Sequence, residues 1–295
     1  MKKVLLATTA LFATAGIAAA GITGVDMSLS GSAEIGVVGG DTIETQFWSD
    51  LDVSVKLSGE TDGGLSYGAK IDLDELAGGI SATSGPAAVW ISSGFGTITV
   101  GDTDGAFDWA LKEAIIGGTI NDVQEHAGYN GNSGLDGMYD GQIARYDNSF
   151  GDFGVALSVE VDDSGAGGDA VVGVGVKYAF SGVNVGVGYQ SDGTVDIVGI
   201  SADAKFGDIT AVVNYSDLDV AGTHTGLAVG YSMDALTIAA NWGEFEAVGG
   251  AKSSGAGAVV NYSVSDNVTL QAGYGSSDVV GTTSNVYSVG LSLGF

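Results

Sequence analysis

Alternation with a period of two constrains this chain more than any other feature. Leu51, Val53, Val55 and Leu57 alternate with Asp50, Asp52, Ser54, Lys56 and Ser58. Successive side chains of a strand point to opposite faces, so this segment has one apolar face and one polar face. After a turn at 60–64, Leu65, Tyr67, Ala69, Ile71 and Leu73 alternate with Ser66, Gly68, Lys70, Asp72 and Asp74. The pattern recurs from Phe153 onward and ends in Tyr287, Val289, Leu291, Leu293 and Phe295. Each run has about the 9–11 residues that a tilted strand needs to cross a bilayer.

Two properties separate a membrane barrel from a soluble sheet. Hydrophobic residues are 45% of the chain and the mean hydropathy is +0.29. No internal apolar run reaches the roughly 18 residues of a membrane helix, so the apolar content is spread out by alternation. The apolar faces end in aromatics, among them Tyr178, Phe180, Tyr189, Tyr215, Tyr231, Trp242, Tyr262 and Tyr274, as interface girdles do. The other face is small or polar, which a sandwich core is not. Pro86 is the one proline, which suits uninterrupted ladders. Connections alternate in length. Short ones fall near 59–64, 92–97, 147–152, 180–183, 206–208, 232–235 and 264–267. Longer ones fall near 38–48, 74–87, 102–140, 162–169, 190–196, 216–224, 243–254 and 275–285. They predict an all-β fold: a closed transmembrane antiparallel β-barrel of about sixteen strands, both termini on the short-turn side, wide enough for an aqueous channel.

The first residues stand outside that fold. Met1 to Ala20 has two lysines, an apolar stretch from Val4 to Ile17 and the triplet Ala18-Ala19-Ala20. This is the layout of a secretory signal peptide, so the chain divides into a leader, 1–20, and a barrel, 21–295. Taking the two leader lysines from the formal charge of −27 leaves −29. Such a chain lacks the basic surface that nucleic acid requires. It has no cysteine, which excludes disulfides and thiolate chemistry. No sequence motif of an enzyme or nucleotide site stands in a fitting context. His126 and His224 are far apart in sequence and read as ordinary polar positions. Glycine-rich strands such as 171–175 read as places of tight curvature or of packing between barrels.

Alternation stops over 102–140. A connection that long in a compact pattern is a functional or disordered segment, and the expectation is that it folds into the lumen and sets the size and charge of a pore. Within it, Ala106 to Ile116 has a helical stripe through Phe107 and Ile115, with Asp104 as cap and Gly117-Gly118 at its end. The stripe is expected to pack on the inner wall. The segment carries Asp102, Asp104, Asp108, Glu113, Asp122, Glu125, Asp136 and Asp140 against Lys112. Asp136 and Asp140 read as a solvated face. Clustered carboxylates also offer oxygen ligands for calcium, with Asp104 and Asp108 the candidates, although no EF-hand pattern is present. No other cofactor is indicated.

The segment Val100-Gly101-Asp102-Thr103-Asp104-Gly105-Ala106-Phe107-Asp108, the run Gly68-Ala69-Lys70, the run Arg145-Tyr146-Asp147-Asn148-Ser149 and the terminal Phe295 carry a resemblance. With the strand layout, the chain resembles the general diffusion porins of the Gram-negative outer membrane, and among them the sixteen-stranded trimeric porins of alphaproteobacteria. The resemblance implies a homotrimer in outer-membrane lipid, without enzymatic activity. It implies passage of ions and small hydrophilic solutes past a third loop folded inward, whose acids face a basic cluster on the wall. This chain departs from that pattern: Asp50, Asp52 and Asp72 stand where basic wall residues are expected, and the nearby bases are Lys56, Lys70 and Arg145. Asp104, Asp108 and Glu113 match the region of the family's eyelet acids. The expected pore lining is therefore Asp50, Asp52, Lys70, Asp72, Asp104, Asp108, Glu113 and Arg145, mainly acidic and cation-preferring. Three alternatives stay open: a solute-specific channel, a non-conducting structural or adhesive barrel, and a secreted soluble β protein.

Overall fold

The alternating runs close on themselves. The structure, a computed structural model, describes residues 25–73, 87–162 and 165–295. The leader expected over 1–20 lies outside the described residues, as does nearly all of the connection expected at 74–87. Among the described residues there are sixteen strands: β1 (Val25–Gly40), β2 (Gln46–Glu60), β3 (Ser66–Asp72), β4 (Ala87–Ser93), β5 (Gly96–Asp102), β6 (Gln142–Phe150), β7 (Phe153–Glu160), β8 (Val171–Phe180), β9 (Val183–Ser191), β10 (Asp196–Phe206), β11 (Ile209–Asp217), β12 (Thr223–Met233), β13 (Leu236–Glu246), β14 (Lys252–Ser265), β15 (Val268–Val279) and β16 (Thr282–Gly294). Each pairs antiparallel with its sequence neighbours, and β1 pairs with β16 from Ser32 opposite Gly294 to Gly40 opposite Val286. Closure leaves no unpaired strand edge, the condition for a sheet in lipid. At the seam the Gly31 N–H donates to the Phe295 carbonyl at 2.7 Å, and the Phe295 N–H to the Gly31 carbonyl at 3.0 Å.

Exposure is inverted relative to a soluble protein. Leu51, Val89, Leu157, Val229 and Val289 are exposed on the outside, and so are Tyr178, Tyr189, Tyr215, Trp242, Tyr262 and Tyr274. Their neighbours in sequence point inward, and there the polar Gln190, Ser201, Asn214, Ser216 and His224 are nearly fully buried. Large apolar groups outside and polar groups inside are the distribution of a barrel with a lipid belt.

Seven connections at one end have two to five residues. At the Ser181–Gly182 turn both residues have positive φ, 51° and 86°, the primed geometry whose twist matches that of the paired strands. The opposite end differs from expectation. The segments 41–45, 192–195, 218–222 and 247–251 are only four or five residues, and 280–281 is a two-residue turn where a loop over 275–285 was expected. Apolar alternation ends at the edge of the lipid belt, but ladder hydrogen bonds do not. Strands β15 and β16 therefore continue through Ser276, Ser277 and Asp278, paired with Asn285, Ser284 and Thr283.

Candidate functional site

The connection between β5 and β6, 103–141, is the third at its end of the barrel. It enters the barrel and follows the inner wall out and back. Its outgoing arm begins with a helix, α1 (Ala106–Ala110), packed on β7, β8 and β9. The arm then runs past β10 and β11, where the Lys112 N–H donates to Ser201 Oγ at 2.7 Å and the Asn214 amide donates to the Lys112 carbonyl at 2.9 Å. Asn261 on β14 donates to the Gly118 carbonyl at 2.8 Å. A 3-10 turn, Ile120–Asp122, reaches β1, where the Asn121 N–H donates to Glu34 at 2.9 Å. The return arm is held in the same way. Asn241 on β13 donates to the Gln124 carbonyl at 3.3 Å, Ser277 on β15 accepts from the Ala127 N–H at 2.9 Å, and Gln190 on β9 accepts from the Leu135 N–H at 2.8 Å.

The helix is shorter than the stripe implies. It spans Ala106–Ala110 rather than Ala106 to Ile116, and Gly105, not Asp104, stands at the N-cap position without a side-chain cap. Leu111 is already extended, at φ −89° and ψ 155°. Hydrogen bonds to wall side chains require an extended arm beyond this point, and they replace the helical ones. The expected packing of the stripe holds in its first turn. Phe107 has no exposed surface and packs with Leu111 and Ile197, bordered by Leu135, Val195 and Leu218. Burying a phenylalanine is worth about 1.5–3 kcal/mol, which anchors the start of the arm.

The two arms are tied to each other. Tyr129 Oη donates to Glu113 Oε2 at 2.6 Å, and Asn214 reaches both arms, donating to the Lys112 carbonyl and, at 2.9 Å, to Asn132 Oδ1. Asp136 accepts from the Gly105 N–H at 2.7 Å and from Gln190. The solvated reading of Asp136 is therefore corrected: its carboxylate is an internal tie between the start and the end of the loop. Glu160 on β7, 2% exposed, accepts from the backbone N–H groups of Gly137, Tyr139 and Gly141. Asp140 does accept from the Gln142 N–H, next to the point where the loop rejoins the wall.

The side chains expected at the site divide into two sets. Asp50 and Asp52 on β2 share the inward parity of Ser54, which bonds Ser30 across the β1–β2 ladder, and Asp52 accepts from Ser32 at 3.0 Å. Lys70 and Asp72 on β3 form an ion pair at 2.9 Å, both partly open to water. Lys56 stands opposite Lys70 on the ladder, with its Nζ 5.8 Å from the centre of the Trp90 ring. The other set is on or against the loop. Asp104 is exposed and its carbonyl accepts from the Arg145 guanidinium at 2.6 Å; Arg145 also contacts Asp147 at 3.3 Å. Glu113 is the partner of Tyr129. Burial, reinforced by the negative charges of Asp104, Asp136 and Glu113, pushes Asp108 up to about 7. Burial pushes Asp136 up to about 6 against the opposing hydrogen bonds from Gly105 and Gln190. Among the described residues no group of three or more His, Asp or Glu stands close enough to hold a metal ion.

Three features escaped the sequence reading. Lys177 on β8 and Lys205 on β10 share inward parity with Gly175 and Ser201. Lys177 Nζ lies 4.1 Å from the centre of the Trp109 ring. The strand alternation that placed Lys56 and Lys70 inside would have placed these two. His126 and His224 meet at one residue: the Gly128 N–H donates to His126 Nδ1 at 3.1 Å, and His224 Nε2 donates to the Gly128 carbonyl at 3.0 Å. Burial and the nearby His224 push His126 down to about 4, so it is neutral at neutral pH. The inward glycines of β8, β9, β14 and β15 lie beneath the loop, not in a contact between barrels.

With this geometry in place, comparison with known proteins is specific. The model of the Gram-negative porin family matches residues 7–282. A porin of Rhodobacter capsulatus is 29% identical over 213 residues, covering 65% of this chain and 67% of that one. A porin structure refined at 1.8 Å superposes with a TM-score of 0.78 at 23% identity, over 92% of this chain and 100% of that one. An anion-selective porin from Comamonas acidovorans has the same fold, with a TM-score of 0.65 at 14% identity over 92% of this chain and 100% of that one.

Proposed function

The chain belongs to the Gram-negative porin family, whose members are outer-membrane channels and not enzymes, and from that premise we propose that it is a cation-preferring diffusion pore for ions and small hydrophilic solutes. Solutes pass between the docked loop and the inner faces of β2, β3 and β4, driven by their own gradients. The constriction is lined by Asp50, Asp52, Lys70, Asp72, Asp104, Asp108, Glu113 and Arg145. The fold does not choose the ion, since an anion-selective porin shares it; the charges do.

The observation that carries the ionic preference is the unequal compensation of these groups. Lys70 is paired with Asp72, and Arg145 is occupied by the Asp104 carbonyl and Asp147. Asp50 and Asp52 have no basic partner among the ion pairs of the described residues, and the loop adds seven acids between 104 and 140 against Lys112. An acidic ring concentrates cations. Because six of the seven mature basic residues lie on the inner wall or the loop, with Lys252 outside beside Glu244 and Glu246, a transverse field is present but its negative pole dominates.

The working unit is a homotrimer, and the chain reaches the membrane after cleavage behind Ala20. β3 and β5 are only seven residues each. Such a strand rises about 23 Å before tilting, short of the roughly 25 Å apolar band of an outer-membrane barrel. That side of the wall is suited to contact with other copies rather than lipid. The test of the ionic preference is the reversal potential of the reconstituted protein across a KCl gradient. It should show K⁺ preference, and changing Asp50, Asp52 and Asp72 together to Asn should reduce that preference. Anion preference of the unaltered protein would overturn the charge argument.

A further inference from the structure

We propose that glycines of the barrel wall set how far the loop stands into the lumen, and through it the free width of the channel. They act as positioning residues for the constriction. Three lie under the outgoing arm and three under the return arm. A Cβ at Gly175 would stand 2.1 Å from the Ala106 carbonyl oxygen, one at Gly186 1.9 Å from that of Ala110, and one at Gly188 3.0 Å from that of Phe107. On the return side, a Cβ at Gly243 would stand 2.0 Å from the Gly128 carbonyl oxygen, at Gly257 2.2 Å from that of Gln124, and at Gly275 1.9 Å from that of Val123.

At Gly175, Gly186, Gly243 and Gly275 the nearest neighbour is a loop backbone atom, which cannot swing aside as the end of a side chain can; at Gly188 the Phe107 ring is nearer still, and at Gly257 Asn241 Oδ1 is equally near. None of the six glycines has a positive φ, so the strand backbone would accept alanine at each; it is the loop that does not, joined at Gly257 by the Asn241 side chain of the wall. The positions adjoin across the ladders, with Gly175 opposite Gly188 and Gly257 opposite Gly275. They form patches of bare backbone on which a second layer of backbone rests. Wall side chains hold the loop down at the intervening places, as Asn241 does at Gln124 and His224 at Gly128. A methyl group at Gly186 or Gly275 therefore drives the loop toward the lumen, since ordinary contact needs roughly 1.5 Å more room than the wall leaves.

The proposal rests on the channel reading, and two separate measurements distinguish failure of one from failure of the other. The first is single-channel conductance of Gly186→Ala, Gly243→Ala and Gly275→Ala, with Gly294→Ala as control because a Cβ there meets nothing within 4 Å. Each of the three should conduct less, roughly twofold, with the barrel's heat resistance on gels unchanged; the control should match the unaltered protein. The second needs no conduction. The chain has no cysteine, so a nitroxide pair at Glu125→Cys and Lys70→Cys reports the gap between loop and free wall, and Gly275→Ala should shorten it. Unchanged distances would overturn the proposal even if conductance fell. Failure of all three variants to assemble beside an assembled control would overturn it as well, since the wall itself would then require the glycines. A silent unaltered protein whose distances still shorten would refute the channel reading alone.

Discussion

Asp108 shows how a residue's chemistry is made by its surroundings. Its sequence context, Phe107-Asp108-Trp109, says only that an acid sits on a helical stripe. The fold half-buries it among Asp104, Asp136 and Glu113, and its carboxyl titrates near 7 rather than in the usual carboxylate range. Below that pH it is neutral and above it negative, so the loop gains a negative charge as pH rises from 6 to 8. K⁺ preference should rise over that interval by roughly twofold, and Asp108→Asn should flatten the dependence; reversal potentials at fixed KCl measure both. A slope that survives Asp108→Asn would assign the titration to Glu125, which burial and the charges of Asp122 and Glu113 also push up to about 7, with Asp136 at about 6 the group after it. Asp50, Asp52 and Asp72 were legible as inward-facing because alternation alone fixes their side. The meeting of His126 and His224 at Gly128 was not legible, since nothing local relates two residues whose approach depends on the loop crossing β12.

The loop is the element that lies along the inside of the tube, and its docking is distributed. Serine, asparagine, glutamine, glutamate or histidine side chains from β1, β7, β9, β10, β11, β12, β13, β14 and β15 bond it. Phe107 supplies the apolar anchor. Phe107→Ala should cost about 3 kcal/mol of loop docking with the barrel intact. Amide exchange of 105–111 should quicken while the protection of β12–β16 stays as it was; loss of strand protection would show that the loop is needed for the barrel. The stripe from Phe107 revealed that a face packs on the wall. It did not reveal that the helix stops at Ala110, because the competing partners, Ser201 and Asn214, are about a hundred residues away in sequence.

At the scale of the whole molecule the formal charge of −27 acts through the channel. Ions there are screened according to the salt around them, with a Debye length of about 10 Å at 0.1 M and about 3 Å at 1 M. Cation preference should therefore weaken as KCl is raised tenfold at a constant gradient ratio, while an exclusion limit set by loop position should not move. Constant selectivity over that range would mean that preference arises from close contact at one or two carboxylates rather than from the summed field.

The sequence by itself determined the strands, their inward and outward faces, the even count that returns both termini to one end, and the place where the pattern breaks. These follow from the two-residue period of a strand and the need to pair every backbone group in lipid. It also determined the sign of the charge. Only the tertiary structure decided where that charge acts and how much room is left beside it. It made Asp136 an internal tie, brought Lys177 over Trp109 and laid the loop's carbonyl groups on wall glycines. Such contacts join residues far apart in sequence, where the loop lies on the wall or on itself. The physical reason is that a period repeats along one strand, whereas the shape of a lumen belongs to all the strands together.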